Sequence, residues 1–395
     1  MTLTDAAPLT SIDAPHPRKD RYVVIFVGAV LMGIGGLIFN VLPILLGSMA
    51  DSLKLSHQQF GYVGSSFLLG FAGVPATAPL WLARVDWRRL ALASLIILAA
   101  SLAACAVWQS LAVILLALFA AGTTSGLIFS LSVNILGSTP NSERSFIVAT
   151  LISLLMAALW IWTMPTMVIP EWGMTGALWG SAGFAVCVVF LTPLFPKRRA
   201  DASTQAGAKN AAGSPIPVLL GLTGLGIFDI GLIGLWSFLE RMGREQGLSE
   251  LLIAQAFSLE KLCVLLTCVA AFWLSGRVSK RFAVIASFSG ICAAAMLLGL
   301  TQGSASYIAA VCIFGAFWTF GYPFQVSAIT DADPNGRYAG MLPAFMGVGS
   351  AIGPALAGQF AGKDDYTVVF MLMTGACFIG TLLILMALRM SKKTS

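Results

Sequence analysis

Long runs of apolar residues, separated by short polar segments, fill almost the whole chain. Each run has about 20 residues, the length that an α-helix needs to cross the hydrocarbon core of a bilayer. The pattern predicts twelve membrane-spanning helices, with ends defined to within a few residues. They cover 22–49, 57–80, 89–108, 111–136, 145–166, 175–195, 216–239, 251–274, 283–301, 305–328, 338–361 and 366–388.

A polar segment divides these runs into six and six. Pro196–Pro217 contains KRRADASTQAGAKNAAGS, which is the only long Ala/Gly/Ser-rich polar stretch inside the chain and is typical of a flexible linker. The predicted fold is an all-α integral membrane protein of two pseudo-symmetric six-helix bundles. Its parts are an N-terminal tail 1–20, a bundle 21–195, a linker 196–215, a bundle 216–390 and a C-terminal tail 391–395.

The two halves also resemble each other in sequence. Trp81–Ala91 (WLARVDWRRLA) aligns with Trp273–Ala283 (WLSGRVSKRFA), and the loop at Pro140 aligns with the loop at Pro334. Both alignments give nearly the same offset, about half the chain, at equivalent places after helices two and eight and after helices four and ten. Duplicated six-helix halves with a site between them describe a known transporter architecture.

Composition excludes several other classes of protein. Hydrophobic residues make up 58% of the 395 positions and charged residues 10%, whereas a soluble domain carries about 25% charged residues. The seven cysteines fall in apolar stretches without a CxxC pair, as small buried hydrophobes do. With only two histidines, we expect no His-based metal site, no catalytic triad and no cofactor.

Lys and Arg residues predict the orientation. The polar N-terminus has no apolar core of a cleavable signal, so the first run is interpreted as an uncleaved helix. A cytoplasmic N-terminus places eighteen Lys and Arg residues inside and four outside, with Lys261 within a helix. We therefore predict a multi-pass protein of the bacterial inner (plasma) membrane with the linker and both termini in the cytoplasm.

Two segments carry a family resemblance, Leu55–Gly73 (LSHQQFGYVGSSFLLGFAG) and Trp81–Arg89. The first looks like the start of the second helix of the major facilitator superfamily, and the second is similar to that family's basic loop between helices two and three. The resemblance extends over 21–390 and implies secondary transport by alternating access. The family's loop Asp is replaced by Ala83, so its gating role cannot be carried over, and Asp86 is a possible substitute.

Basic loops and one helix are candidates for gating or structural roles. Helix five lacks glycine, whereas helix eleven contains the pattern Gly347-x-Gly349-x-x-x-Gly353-Pro354-x-x-x-Gly358, which suits either a close helix crossing or a hinge. The absence of a glycine motif from helix five weakens the case for an exporter. The gating and structural candidates are Arg84, Asp86, Arg88, Arg144, Arg337, Gly353 and Pro354.

Three ionisable residues fall inside apolar spans, where each costs roughly 2.5–3.5 kcal/mol on insertion scales. Asp229 on helix seven and Lys261 on helix eight both lie about ten residues from an outer helix end, so their depths match. Gln255, Ser258 and Lys261 form a polar stripe, which makes Lys261 the better cavity residue, and Glu260 is expected to point elsewhere. Three interpretations stay open: an Asp229–Lys261 ion pair, a proton-carrying carboxylate with Lys261 binding an anionic substrate, and an acid–base enzyme. The last is disfavoured because no other catalytic constellation accompanies it.

Other polar and aromatic residues are weaker substrate-binding candidates. Asn40 and Gln325 suit either a cavity or an interhelical hydrogen bond, and the tryptophans suit a cavity, lipid contact or core packing. With the stripe, the full set is Lys261, Ser258, Gln255, Asn40, Trp160, Trp236, Trp318 and Gln325; the proton-coupling candidates are Asp229 and Glu260.

The expected function is alternating-access transport of a small organic solute by proton-coupled uptake, with an organic or aromatic acid as the first choice of solute. Proton-antiport export of a hydrophobic compound is the second choice, and a non-transporting membrane sensor is the third. The expected partners are the solute, protons and lipid. We expect no nucleic acid, no enzymatic activity and a single chain as the working unit.

Overall fold

The described part of the chain forms twelve α-helices, one for each predicted span. The computed structural model describes residues 18–81, 85–139, 142–195, 215–333, 338, 341–362 and 365–394. The helices are α1 Arg18–Leu53, α2 His57–Trp81, α3 Trp87–Val107, α4 Leu111–Gly137, α5 Ser142–Thr163, α6 Ile169–Val189, α7 Ile216–Glu245, α8 Glu250–Leu274, α9 Lys280–Leu300, α10 Ser304–Asp331, α11 Leu342–Phe360 and α12 Thr367–Thr394.

Polar side chains at four helix starts accept hydrogen bonds from backbone N–H groups that the helix leaves free. They belong to Asp86, Ser110, Ser249 and Ser279. Each stands directly before an apolar run, so it marks where a membrane segment begins. Asp86, a gating candidate, therefore has a structural role as the N-cap of α3.

Nine stretches of the described residues are long and apolar enough to cross a membrane. One of them, Arg144–Val189, contains both α5 and α6. Helicity continues past the predicted end of helix five through a π-helical turn, Met164–Val168. The next helix is kinked at Gly173, whose φ is 61°. The count of twelve crossings stays a prediction, whereas the all-α architecture is confirmed for the described residues.

Helix packing follows the internal repeat. Within the first six helices, α1 packs on α4, α5 and α6, and α3 packs on α4 and α6. All five of these pairs recur with each number raised by six. Between the halves, α2 packs on α11, and its symmetry equivalent is the pair α8 and α5. The pseudo-symmetry predicted from two short loops is thus present in the tertiary contacts.

Small residues allow α11 to approach both halves. A Cβ atom at Gly353 would lie 2.6 Å from the carbonyl oxygen of Ile230 on α7, and one at Gly61 of α2 would lie 2.3 Å from that of Pro354. The backbone N–H of Ala355 donates to Ser65 Oγ at 2.9 Å. Gly353 and Pro354 therefore stand at a close helix crossing, and their use as a hinge stays a prediction.

Candidate functional site

Four aromatic rings from both halves meet in the centre of the bundle. Phe39 on α1 stacks on Phe71 of α2 at 5.3 Å between ring centroids, and on Trp236 of α7 at 5.1 Å. Trp236 in turn meets Trp318 of α10 edge-on at 5.9 Å. We call Phe39, Phe71, Trp236 and Trp318 the aromatic cluster. It contains two of the three tryptophans predicted for the cavity.

Asp229 lies on the same face of α7 as Trp236, because seven residues make almost two full turns. The distance along the helix is about 10 Å. The carboxyl group lies near Tyr322 on α10 and Cys377 on α12. Asp229 is 4% exposed, and it makes no hydrogen bond or ion pair with another described residue.

Lys261 pairs with its sequence neighbour. Its Nζ lies 3.0 Å from Glu260 Oε2, and the two side chains are 9% and 6% exposed. The approach lies outside hydrogen-bond geometry, so the contact is an ion pair only. The expectation that Glu260 and Lys261 point in different directions was wrong, because both side chains are long enough to bridge the angle between their Cα atoms.

The ion pair borders α10 near the aromatic cluster. A Cβ atom at Gly315 would lie 2.3 Å from Glu260 Oε1, which places this carboxyl against α10 one residue after Phe314. Phe314 itself packs on Trp318 at 6.1 Å. The ion pair, the aromatic cluster and Asp229 therefore border the same stretch of α10.

The polar stripe on α8 is not uniformly buried. Gln255 is exposed, whereas Ser258 is half-buried and its Oγ is buried without a hydrogen-bond partner. Asn40, next to Phe39, donates from its amide to Gly36 O in its own helix at 2.8 Å. Gln325 is buried near Ser287 of α9, and its Nε2 has no hydrogen-bond partner.

Trp160 lies away from the aromatic cluster, between α5 and α6. Its Nε1 donates to Ser181 Oγ at 3.1 Å, and its ring packs edge-on against Phe184 at 5.0 Å. It borders a wide apolar cavity of about 650 Å³ on these two helices. Of the predicted tryptophans, this one packs within the first half.

The gating role expected of the basic loop residues stays a prediction. Arg88 is half-buried and Arg144 is exposed. Arg84 and Arg337 lie outside the described residues.

Charged residues join the two halves at the end of the bundle opposite the linker, which we call the distal end. Arg241 of α7 binds Asp51 of α1 at 2.6 Å and Glu245 at 2.9 Å, and His57 of α2 lies 3.0 Å from Glu245. Arg244 binds three further oxygens of this group. The distal network consists of Asp51, His57, Glu240, Arg241, Arg244, Glu245 and Glu250.

The sequence pattern failed to reveal this network because the apolar run of α7 ends at Leu239. The last turn of α7 is charged, and its residues form two ion pairs with a spacing of four, Glu240–Arg244 and Arg241–Glu245. Such pairs stabilise a helix, so their spacing in the sequence could have predicted that α7 extends beyond Leu239. The network and the α2–α11 crossing close the distal end between the halves.

A cluster of metal-binding side chains is absent from the part of the chain that the structure describes. No group of three or more His, Cys, Asp or Glu side chains there is arranged to hold a metal ion.

Comparison with solved structures gives the fold at low sequence identity. The nucleoside transporter NupG matches with a TM-score of 0.69 at 14% identity, over 93% of this chain and 98% of that one. A bacterial homologue of the human lysosomal transporter Spinster, inward-facing and unoccupied, matches with a TM-score of 0.65 at 12% identity, over 96% and 97%. The human organic anion transporter MFSD10 matches with a TM-score of 0.55 at 19% identity, over 93% and 100%.

Sequence comparison gives the family. No curated protein sequence matches the chain significantly. The sequence profile of the Major Facilitator Superfamily, however, matches residues 25–342, which is most of the chain. The predicted fold class and the resemblance are thereby confirmed: the chain is a member of the major facilitator superfamily of transporters.

Proposed function

We propose that this transporter carries a small organic solute, preferably an aromatic or other organic acid, into the cell with protons. The observation that carries the proposal is the grouping of three buried ionisable side chains with aromatic rings from both halves. They are Asp229 and the Glu260–Lys261 pair. The solute is translocated without chemical change, in a bacterial inner membrane with both termini cytoplasmic.

Asp229 is the proposed proton carrier. A carboxylate in an apolar span is costly unless it is paired or protonated. With no ion-pair partner among the described residues, Asp229 is best accommodated in this buried position as the neutral acid. When the site opens to water, the ionised carboxylate is favoured instead of the neutral acid. Asp229 would therefore bind and release one proton in each transport cycle.

Lys261 is the proposed anchor for the carboxylate of the solute. In the present state its charge is balanced by Glu260. An incoming carboxylate can replace Glu260, which is then a buried acid without its cation and takes up a proton. Exchange of partners would thus couple binding of an anion to uptake of a proton.

The aromatic cluster supplies the proposed surface for the solute's ring. Its four rings come from helices of both halves, so a planar solute held there contacts both bundles. Because the distal end is closed, we infer that the site is reached from the linker end. With a cytoplasmic linker, this is the inward-facing state.

Proton-antiport export of a hydrophobic cation is the second candidate, and one observation favours it. Asp229 has no balancing cation among the described residues, while Lys261 is already neutralised. An acid beside aromatic rings suits a lipophilic cation through charge and cation–π attraction.

The experiment is a thermal-shift screen of the purified chain, followed by uptake into liposomes under an imposed pH gradient. p-Aminohippurate and phthalate represent aromatic acids, tetraphenylphosphonium represents aromatic cations, and glucose represents sugars. We expect the acids to stabilise the chain and Lys261→Ala to abolish that effect. If tetraphenylphosphonium alone stabilises the chain, and Asp229→Asn removes that effect, the result contradicts acid uptake and supports export of hydrophobic cations.

A further inference from the structure

His57 occupies an unusual place in the distal network. It is the first residue of α2, yet its ring contacts the second half of the chain on two sides. Nε2 lies 3.0 Å from Glu245 Oε1 at the end of α7, and Nδ1 lies 3.2 Å from the backbone oxygen of Ala361 after α11. One imidazole thus bridges three helices across the boundary between the halves.

Both partners of this ring accept hydrogen bonds. A backbone carbonyl has no proton to give, and a carboxylate is an acceptor only. A neutral imidazole has one N–H, so it can satisfy only one of the two contacts, whereas the imidazolium satisfies both. The same number of protons is bound if the extra proton lies on Glu245, because the protonated acid would then donate to neutral His57. Whichever residue carries it, the closed His57–Glu245 pair therefore holds one proton more than a neutral imidazole and a carboxylate.

The charge balance of the distal network also favours a bound proton at His57. Asp51, Glu240, Glu245 and Glu250 are acids, and Arg241 and Arg244 are the cations that bind them. A protonated His57 is a third cation in a group of four acids.

Most other titratable groups near the ring stay in one form around neutral pH, and Glu240 is the exception. Burial raises the pKa of Glu240 to about 7, although Arg244 lowers it. Burial, followed by the Glu245 carboxylate, raises the pKa of Tyr366, whose ring centre lies 5.9 Å from that of His57. Tyr366 therefore remains neutral. Asp365 stays ionised because the backbone N–H of Thr367 lowers its pKa. Arg241 reaches the pair through Glu245 and keeps its charge, and Lys363 and Asp364 lie outside the described residues.

We propose that His57 and Glu245 form a proton-binding site that closes the distal gate, separate from the carrier Asp229. Closing the gate binds the proton, and losing the proton breaks one bridge and favours opening. The closed population is therefore highest while the pair holds its proton and falls when raised pH removes it. The role of this site in a transport cycle rests on the proposed function, but the linkage between proton and gate does not.

The experiment measures gate opening directly and without solute. Spin labels are placed at Ser56→Cys on the α1–α2 connection and Phe360→Cys at the end of α11, in a chain whose seven native cysteines are replaced. Electron–electron distances are recorded in lipid nanodiscs from pH 5.5 to 8.5. All variants carry Asp229→Asn and Glu240→Gln, so that neither the proposed carrier nor the buried Glu240 contributes to the pH dependence.

The closed-to-open ratio is expected to fall about tenfold over this range, as one charge-assisted hydrogen bond is lost. His57→Gln should show no pH dependence, while His16→Gln, at the only other histidine, should behave as the parent. A parent ratio that is constant with pH overturns the proposal, and so does a pH dependence that persists in His57→Gln. Because no solute or gradient is used, either failure leaves the proposed transport function to be judged separately.

Discussion

Removing Lys261 alone should destabilise the protein strongly, because its partner carboxylate is buried. The Lys261 and Glu260 side chains are 9% and 6% exposed, and their charged atoms lie 3.0 Å apart. Removing one member of such a pair typically costs about 3–5 kcal/mol. Lys261→Met and Glu260→Gln should therefore each lower the free energy of unfolding by about 3 kcal/mol, while the double variant should lie within about 1 kcal/mol of the parent.

The assay is equilibrium unfolding in detergent for the two single variants and the double variant, analysed as a double-mutant cycle. Asp229→Asn combined with Lys261→Met is the matched control, since these two residues are not paired in the structure. Its effects should add to within about 0.5 kcal/mol. Recovery of stability by Asp229→Asn rather than by Glu260→Gln would refute the pairing of Lys261 with Glu260.

Transport by the same variants separates packing from substrate binding. If Lys261 anchors the carboxylate of the solute, the double variant folds normally but neither binds nor accumulates organic anions. If the pair is only structural, the double variant retains transport. Full uptake by the double variant would therefore exclude the anchoring role.

Two further predictions concern a peripheral tryptophan and the topology. Trp160→Phe should lose the hydrogen bond to Ser181 and about 1 kcal/mol of unfolding free energy while solute affinity is unchanged; a large loss of affinity would contradict its placement outside the central site. In intact cells, Lys363→Cys should react with an impermeant thiol reagent and Ala206→Cys should not; the reverse labelling pattern would contradict the predicted orientation.

Much of the fold follows from one property of the sequence, the length and spacing of its apolar runs. Every predicted span coincides with a helix, since a membrane segment must satisfy its backbone hydrogen bonds internally. The internal repeat was also visible, because the loop at Trp81–Ala91 has a counterpart at Trp273–Ala283.

Helix ends that contain charged residues were harder to predict. The apolar criterion ended α7 at Leu239, although Glu240–Arg244 and Arg241–Glu245 pairs extend it to Glu245. With that turn assigned to a loop, its contacts with Asp51 could not be anticipated. The distal network is a product of tertiary packing and has no linear motif.

The structure brings some of the candidate site residues together, but their pairing differs from the expected one, and their roles stay predictions. Trp236 and Trp318 pack on each other, and Asp229 is buried on the same helix as Trp236. Which acid meets Lys261 depends on side-chain reach and helix rotation, and these are not determined by spacing along the chain. Trp160 was indistinguishable from Trp236 in sequence, because both stand in the middle of apolar runs.

Proton movement driven by solute tests the central claim most directly. The chain is reconstituted into liposomes that contain a pH indicator, and a gradient of an impermeant aromatic acid such as p-aminohippurate is applied. The parent should acidify the lumen as solute enters. Asp229→Asn should still exchange labelled solute but move fewer protons and accumulate less, because only the proton taken up by Glu260 remains. Accumulation by Asp229→Asn with the proton flux of the parent would contradict the account.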